Sequence, residues 1–218
     1  SPISEIRRFA SICTSEENAL QMYGEHLNWQ QTLATPENLA RAVSLIPPKF
    51  VRAAGIDNLG LPVLYVQGAR YNVDVPVLEY SLGLSALVMK LIPNDVDGKI
   101  TILIDTRAGP KGDPEWPSPR PDKMLPMIKA VNEALSLHFP GRCSKVILYP
   151  LPNIMQGEWR GVSRLLDKRA REAIVVFGVG SKAPSSLGEW VKIDNFPDEE
   201  SRELHKELDK YVAPSPKR

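Results

Sequence analysis

The residues of this chain that could carry out a reaction are few, and a glycine-rich turn is the clearest group among them. Residues 178–183, with the sequence GVGSKA, fit the pattern G-x-G-x-x-A directly after a β-branched run. In nucleotide-binding folds such glycines let a pyrophosphate approach the N-terminus of the next helix. Here Pro184 follows at once and Gly188 interrupts the segment, so the required helix has little room. A nucleotide-binding enzyme is therefore the weakest of three hypotheses.

Other side chains that catalyse reactions or hold metals are scattered along the chain. The sequence has no G-x-S-x-G nucleophile turn and no H-E-x-x-H zinc motif. His26, His138 and His205 lie far apart on predicted helices, where we expect surface or helix-end positions. Cys13 and Cys143 have no neighbouring base and are expected to be buried or incidental thiols. We expect no enzyme, no metal site and no cofactor.

A predicted amphipathic helix between two buried strands, within residues 139–178, is the strongest functional feature. Its apolar side consists of Met155, Trp159, Val162, Leu165 and Leu166. Basic side chains lie on its back and just beyond it, namely Arg160, Arg164, Lys168, Arg169 and Arg171. Such a helix can be a fixed cover on a filled core, or a lid over a hydrophobic ligand that docks on acidic lipid. The residues alone leave both possibilities open.

The composition bounds the class of protein. A chain of 218 residues, 43% of them hydrophobic, can bury roughly 70% of the surface of its unfolded form. The formal net charge of +1 provides no global attraction to nucleic acid. The longest apolar stretch, residues 75–92, carries Glu79 and Lys90 and falls short of the roughly 20 apolar residues that span a bilayer. With two cysteines and no secretion signal at Ser1, we expect a soluble, cytoplasmic protein.

Capping signals predict two helices near the N-terminus. Ser15 begins a helix that ends near residue 31, and Thr35 followed by Pro36 begins a second that ends near residue 45. The apolar side of the first helix carries Ala19, Leu20, Tyr23 and Leu27. A turn-rich segment at residues 55–62 then precedes the first predicted strand.

After this turn, strands and helices alternate, which predicts an α/β fold with a mainly parallel sheet of about five strands flanked by helices. The predicted strands are 63–66, 100–104, 145–149 and 173–177, with a short one at 191–193. The predicted helices are 75–92, 122–138, the basic helix and a last one from Asp198. The loop 108–121 contains five prolines and two glycines and is either mobile or functional. We expect a helical cap at 1–54, a sheet domain at 55–197 and a C-terminal helix and tail at 198–218.

Motifs on these elements resemble those of the CRAL-TRIO family, whose fold occurs in yeast-type phosphatidylinositol-transfer proteins and in tocopherol- and retinal-binding proteins. The run Gly55-x-Asp57-x-x-Gly60-x-Pro62-Val63 is similar to the family's entry into its first strand. Residues 139–145, FPGRCSK, resemble the family's Y/F-P-E-R-x-x-K, with glycine in place of Glu. Residues 102–105, ILID, resemble a family strand that ends in Asp.

The resemblance implies a sheet that floors a lipid-sized cavity and a movable gate helix, at residues 156–167, that closes over it. Met155, Trp159, Val162, Leu165 and Leu166 would then face the ligand or the membrane. Gly157 and Gly161 each weaken the helix by roughly 1 kcal/mol relative to Ala, as suits an element that moves. The candidate residues of the cavity floor, with the inward-facing set undecided, are Val63, Tyr65, Ile100, Ile102, Ile104, Val146 and Leu148.

The departures from the family pattern bear on the ligand. Gly141 and Ala173 stand where phosphatidylinositol-binding members have a Glu and a Lys of the head-group site. Ile100 and Ile102 stand where those members have small hydroxyl residues. A desolvated phosphate needs partners, so phosphatidylinositol is disfavoured and a neutral or weakly polar hydrophobic ligand is favoured.

The leading hypothesis is a non-enzymatic protein that binds one hydrophobic, lipid-like ligand in an internal cavity. It would carry or present this ligand at a membrane, with which it associates peripherally through its basic residues. The alternative is a module of the same fold with a closed core that binds another protein, for example a small GTPase. Nucleic acid is not an expected partner.

Overall fold

The structure is a computed structural model of the chain. It describes residues 2–92, 98–105, 112–149, 156–164, 168–176 and 190–191. The helices are α1 (Pro2–Ala10), α2 (Glu16–Thr32), α3 (Pro36–Leu45), α4 (Val77–Leu91), α5 (Pro121–His138), α6 (Gln156–Ser163) and α7 (Lys168–Ala173). The strands are β1 (Val51–Ile56), β2 (Pro62–Gln67), β3 (Ile100–Asp105), β4 (Cys143–Tyr149) and β5 (Ile174–Val176), and a 3-10 helix, Gly68–Arg70, follows β2.

The strands form one sheet in the order β1-β2-β3-β4-β5, in which β2 to β5 run parallel. The prediction of a mainly parallel α/β sheet flanked by helices is thereby confirmed. The edge strand β1 corrects the prediction. It precedes β2, which contains the strand at 63–66 that was predicted to be the first, and it pairs antiparallel with it. Its sequence, VRAAGI, has little intrinsic β preference, so pairing with β2 makes the strand. The predicted boundary between residues 54 and 55 falls inside β1.

The turn between β1 and β2 is held by the carboxylate of Asp57. Its Oδ1 accepts hydrogen bonds from the backbone N–H groups of Leu59 and Leu61, at 2.8 and 2.9 Å. Its Oδ2 accepts one from the hydroxyl of Thr101 in β3, at 2.7 Å. Gly60 completes the turn with φ of 82°, a left-handed conformation that favours glycine. The motif residues at this position therefore build the turn.

The N-terminal helices pack into the same core as the sheet. Both predicted caps form, since Ser15 accepts a hydrogen bond from the N–H of Asn18 and Thr35 from that of Asn38. α3 and α4 approach closely, because a Cβ added to Gly83 would lie 2.9 Å from the Cδ1 of Ile46. One continuous core joins side chains of these helices to the sheet, including Trp29, Ala42, Ile46, Tyr80, Leu82, Val88 and Met127.

The buried side of α2 differs from the prediction. Leu20 and Leu27 are 52% and 36% exposed, whereas Ala19, His26 and Trp29 are buried. Turning the helix this way buries the indole, the largest apolar surface available. The expected surface or helix-end position is therefore wrong for His26, whereas His138 does end α5, although its ring is buried as well. His205 lies outside the described residues.

The described part of the proline-rich loop, residues 112–120, is anchored on the 3-10 helix. The guanidinium of Arg70 lies 4.1 Å from the ring centroid of Trp116, and its Nη1 lies 3.0 Å from Glu115 Oε2. The backbone N–H of Ser118 donates to the carbonyl of Ala69 at 2.8 Å. Arg70 itself is buried and donates to Gln67. These contacts dock the loop beside the carboxyl end of β2.

Candidate functional site

The strand register sorts the sheet side chains onto two faces, because successive residues of a strand point to opposite sides. We call one side the apolar face; it carries Leu64, Val66, Ile100, Ile102, Ile104, Cys143, Val146, Leu148, Ile174 and Val176. We call the other the mixed face; it carries Arg52, Val63, Tyr65, Gln67, Thr101, Leu103, Asp105, Lys145, Ile147 and Val175.

This sorting divides the predicted cavity floor. Ile100, Ile102, Ile104, Val146 and Leu148 lie on the apolar face, and Val63 and Tyr65 lie on the mixed face. A cavity on one side of the sheet can be lined by one set but not by both. The sequence could not decide between them, because strands buried on both faces show no polar alternation.

The helices α4 and α5 cover the apolar face, and α6 lies beside α5. α5 contributes one buried and four half-buried apolar side chains toward this core: Met127, and then Met124, Ile128, Val131 and Leu135. α5 therefore packs one apolar side against this core. The apolar face, α5 and α6 together make the candidate site.

One end of the apolar face is filled. Leu64 and Ile100 are 0% exposed. Near the carboxyl end of β2, in the same core, Tyr80 packs against Phe50 and Tyr71, with ring centroids 4.9 and 4.8 Å apart. The Tyr80 hydroxyl both accepts from the N–H of Asn72 and donates to its carbonyl, and burial raises the pKa of Tyr80 to about 12. At this filled end, beneath α3 and α4, the Tyr80 hydroxyl therefore has its hydrogen bonds within the protein and does not offer one to a ligand.

The other end, toward β4 and β5, is less sealed. Ile104, Val146, Ile174 and Val176 are all half-buried although each is apolar. The half-buried side chains of α5 border the same core. An apolar strip that is neither exposed nor fully packed is the kind of surface that a hydrophobic ligand covers. We call this strip the open end.

The helix α6 presents a solvent-exposed side made of Gly157, Arg160, Gly161 and Arg164. At 100° per residue, positions Trp159 and Val162 fall on the opposite side of the helix. A Cβ added to Gly157 or Gly161 would meet nothing within 4 Å. These glycines are therefore not required for close packing. The other predicted gate residues, Met155, Leu165 and Leu166, lie outside the described residues.

The predicted basic cluster is exposed where its side chains are described. Arg160, Arg164 and Arg171 all point into solvent. For Lys168 and Arg169 the helix backbone of α7 is described, and their side chains lie outside the described part. The described cations can meet an acidic surface without any rearrangement of the core.

Two motif residues at the start of β4 have structural roles. The buried guanidinium of Arg142 donates from Nη1 to the carbonyl of Gly98 at 2.7 Å, and the Arg142 carbonyl accepts from the N–H of Ile100 at 2.8 Å. Gly141 has φ of 73° and is exposed, a conformation in which a Glu would be strained. Arg142 thus joins β3 to β4, and the turn before it suits glycine.

Charge is unfavourable on the apolar face and accommodated on the mixed face. Burial raises the pKa of Cys143, on the apolar face, to about 12. On the mixed face the Tyr65 hydroxyl donates to Asp105 at 2.8 Å, and Lys145 lies 4.8 Å from the ring centroid of Trp190. The family resemblance of residues 102–105 implied a structural role for Asp105, and this hydrogen bond supports that role.

Neither a metal site nor a membrane span appears in the described part of the chain. No group of three or more His, Cys, Asp or Glu side chains there could hold a metal ion. None of the helices there combines the length and the apolar character that crossing a bilayer requires. The glycine-rich turn at 178–183 lies outside the described residues.

Comparison with known proteins identifies the family. No curated protein matches the chain, whereas 51 chains of solved structures do. One is the crystal structure of Sfh5, with a TM-score of 0.57 and 16% identity over 82% of this chain and 65% of that chain. The chain thus spans slightly less than two thirds of Sfh5, and at this identity the likeness shows the fold. The family model for the CRAL/TRIO domain matches residues 48–200, and the chain therefore belongs to this family of lipid-binding folds.

Proposed function

We propose that the protein binds one hydrophobic, lipid-like molecule between the open end of the apolar face and the helices α5 and α6. The observation that carries this proposal is the change in burial across a single sheet face. Ile100 is 0% exposed, while Ile104, Val146 and Ile174 are only half-buried. A ligand that covers the open end removes this apolar surface from water, at roughly 25 cal/mol for each Å².

The ligand class follows from the same face. The strand side chains that pack in this core are hydrocarbon, apart from the thiol of Cys143, and burial raises the pKa of that thiol to about 12. A phosphate placed among them would lose its hydration without gaining partners. A neutral or weakly polar lipid is therefore favoured over phosphatidylinositol.

We propose further that α6 is the gate. Gly157 and Gly161 lower its helix propensity by roughly 1 kcal/mol each, and neither position needs glycine for space. A helix of eight residues with two such positions can leave its place at low cost. Arg160 and Arg164 on its exposed side would meet the anionic membrane while the gate is open.

The first test is extraction of the purified protein followed by mass spectrometry, together with uptake from vesicles of phosphatidylcholine that contain a sterol or tocopherol. We expect one lipid molecule per chain. Consecutive residues of β5 supply a matched pair, because Ile174 faces the apolar face and Val175 the mixed face, and both are half-buried. Ile174→Trp should fill the open end and lower uptake at least several-fold, and Val175→Trp should leave uptake near that of the unaltered protein.

The alternative is a protein-binding module with a closed core, and the filled end of the apolar face favours it. This alternative predicts no lipid after extraction, no uptake from vesicles, and equal effects of the two Trp substitutions. Those results together would contradict the proposed lipid-binding function.

A further inference from the structure

Two buried histidines join the N-terminal helices to the end of α5. His26 from α2 and His138 from the last turn of α5 have ring centroids 5.7 Å apart and are 2% and 9% exposed. The His138 ring stacks on Trp29 of α2 at 4.1 Å with an interplanar angle of 11°. Phe9 of α1 lies 5.3 Å from the His26 ring. The pair therefore sits where α1, α2 and α5 meet.

The polar atoms of these rings are not satisfied by neighbours. Both ring nitrogens of His26 and the Nδ1 of His138 are buried without a hydrogen-bond partner in the described part of the chain. Around them lie aromatic rings, which accept no conventional hydrogen bond from an imidazolium. A proton added to His26 would create a buried cation without a hydrogen-bond acceptor at either ring nitrogen, and His138 has none at Nδ1.

Charged groups from several helices surround the pair. Burial lowers the pKa of His26, and Arg8 on α1 lowers it further. Burial and Arg142, which follows α5, in turn lower the pKa of Arg8. Glu5 on α1 acts in the opposite direction on Arg8, whose pKa it raises, and it also raises the pKa of Tyr23 on α2. Glu25 on α2 raises the pKa of His138, but burial and His26 outweigh it. The pKa values of His26 and His138 both fall to about 4.

We propose that the contact of His26 and His138 is an acid-sensitive latch that releases α1 and α2 from α5 when either ring is protonated. Release would hydrate the rings and separate His138 on α5 from His26 on α2, which removes the burial penalty and the unfavourable effect of His26 on His138. Trp29 and Phe139 belong to the same core as the apolar face, so release of the latch would also loosen the core that contains the proposed ligand site. That consequence for ligand release rests on the proposed function, whereas the latch itself does not.

The sign of the pH effect follows from the direction of the shifts. The ordinary histidine pKa of about 6.5 applies to the released helices, and about 4 to the packed ones. The packed state therefore keeps its full advantage above pH 6.5 and loses it as the pH falls toward 4. At pH 5 the released state should gain on the order of tenfold in population for each histidine.

The test is hydrogen exchange by mass spectrometry at pH 7 and pH 5, corrected for the intrinsic pH dependence of exchange. Protection of residues 2–32 should fall at least tenfold at pH 5, while the peptides of β2 to β4 keep theirs. His26→Phe with His138→Phe retains the ring packing without a titrating group and should abolish most of this change. His205→Gln, the third histidine of the chain, is the control and should behave as the unaltered protein.

Three results would overturn the latch: equal protection of residues 2–32 at both pH values, the same loss in the double variant, or an equal loss in the sheet. The exchange measurement on the unaltered protein decides the first and the third even if the double variant does not fold. Failure of lipid uptake at pH 7 would instead count against the proposed function and leave the latch unaffected.

Discussion

The two ends of the apolar face have the same side-chain chemistry and different packing. At the filled end, Leu64 and Ile100 are fully buried, and Phe50, Tyr71 and Tyr80 pack together in the same core. At the open end, Leu148 is buried, but Ile104, Val146, Ile174 and Val176 around it stay half-buried. Hydrophobicity alone thus does not distinguish a packed core from a ligand site. The two ends differ in whether large aromatic rings pack in the core or the apolar side chains stay partly uncovered.

This contrast assigns separate tasks to the two ends. Close packing at the filled end stabilises the sheet through dispersion contacts and removal of apolar surface from water. The open end forgoes some of that stabilisation, and a bound lipid would restore it.

The largest expected effect is on the filled end. Tyr80→Ala removes a ring that is 0% exposed and contacts Phe50 and Tyr71, and should lower the free energy of unfolding by about 3–5 kcal/mol in urea titrations. Val146→Ala at the open end removes a half-buried side chain and should cost about 1 kcal/mol. A cost of about 3 kcal/mol for Val146→Ala would show that the open end is packed as tightly as the filled end, and the proposed division would fail.

Much of the fold could be predicted from local signals. The caps at Ser15 and Thr35 located α2 and α3 because a side-chain oxygen bonded to a backbone N–H is a purely local arrangement. The alternation of strands and helices indicated the parallel sheet. β1 was missed because its strand conformation depends on pairing with β2, and that pairing is a long-range contact.

The candidate site was predictable only in part. The sequence identified aliphatic strand residues but not their direction, since register decides the face. It placed His26 and His138 at the surface or at a helix end, and His138 does end α5, but the sequence did not show that both rings join Trp29 in an aromatic cluster. Residues 112 positions apart along the chain cannot be paired from periodicity. The motif residues Asp57 and Arg142 marked the family correctly, and they act by holding a turn and joining two strands.

The next prediction concerns the movement of α6. Gly157→Ala with Gly161→Ala should stabilise the helix by about 1 kcal/mol for each substitution, because neither methyl group meets an atom within 4 Å. If α6 must leave its place for lipid exchange, transfer between vesicles should slow several-fold while the amount of lipid bound stays the same. Transfer can be followed with a fluorescent sterol in a stopped-flow assay.

Gly24→Ala is the matched control, because Gly24 also lies in a helix, α2, and also has open space around its Cβ position. It should add similar helix propensity without slowing transfer. Slower transfer in both variants would mean that general stiffening is the cause, and unchanged transfer in the α6 variant would show that α6 does not limit exchange.

The smallest expected effect is electrostatic and concerns the outer surface of the open end. Arg160→Glu with Arg164→Glu should weaken binding to vesicles that contain phosphatidylserine, since each basic residue near an anionic surface contributes about 1 kcal/mol. The loss should be greatest at low ionic strength and shrink as salt screens the charges. Lys90→Glu with Lys129→Glu changes the net charge equally at exposed positions of α4 and α5 and should weaken binding less. If the two double variants lose the same affinity in a vesicle sedimentation assay, attraction to the membrane depends on net charge, and α6 has no special role in docking.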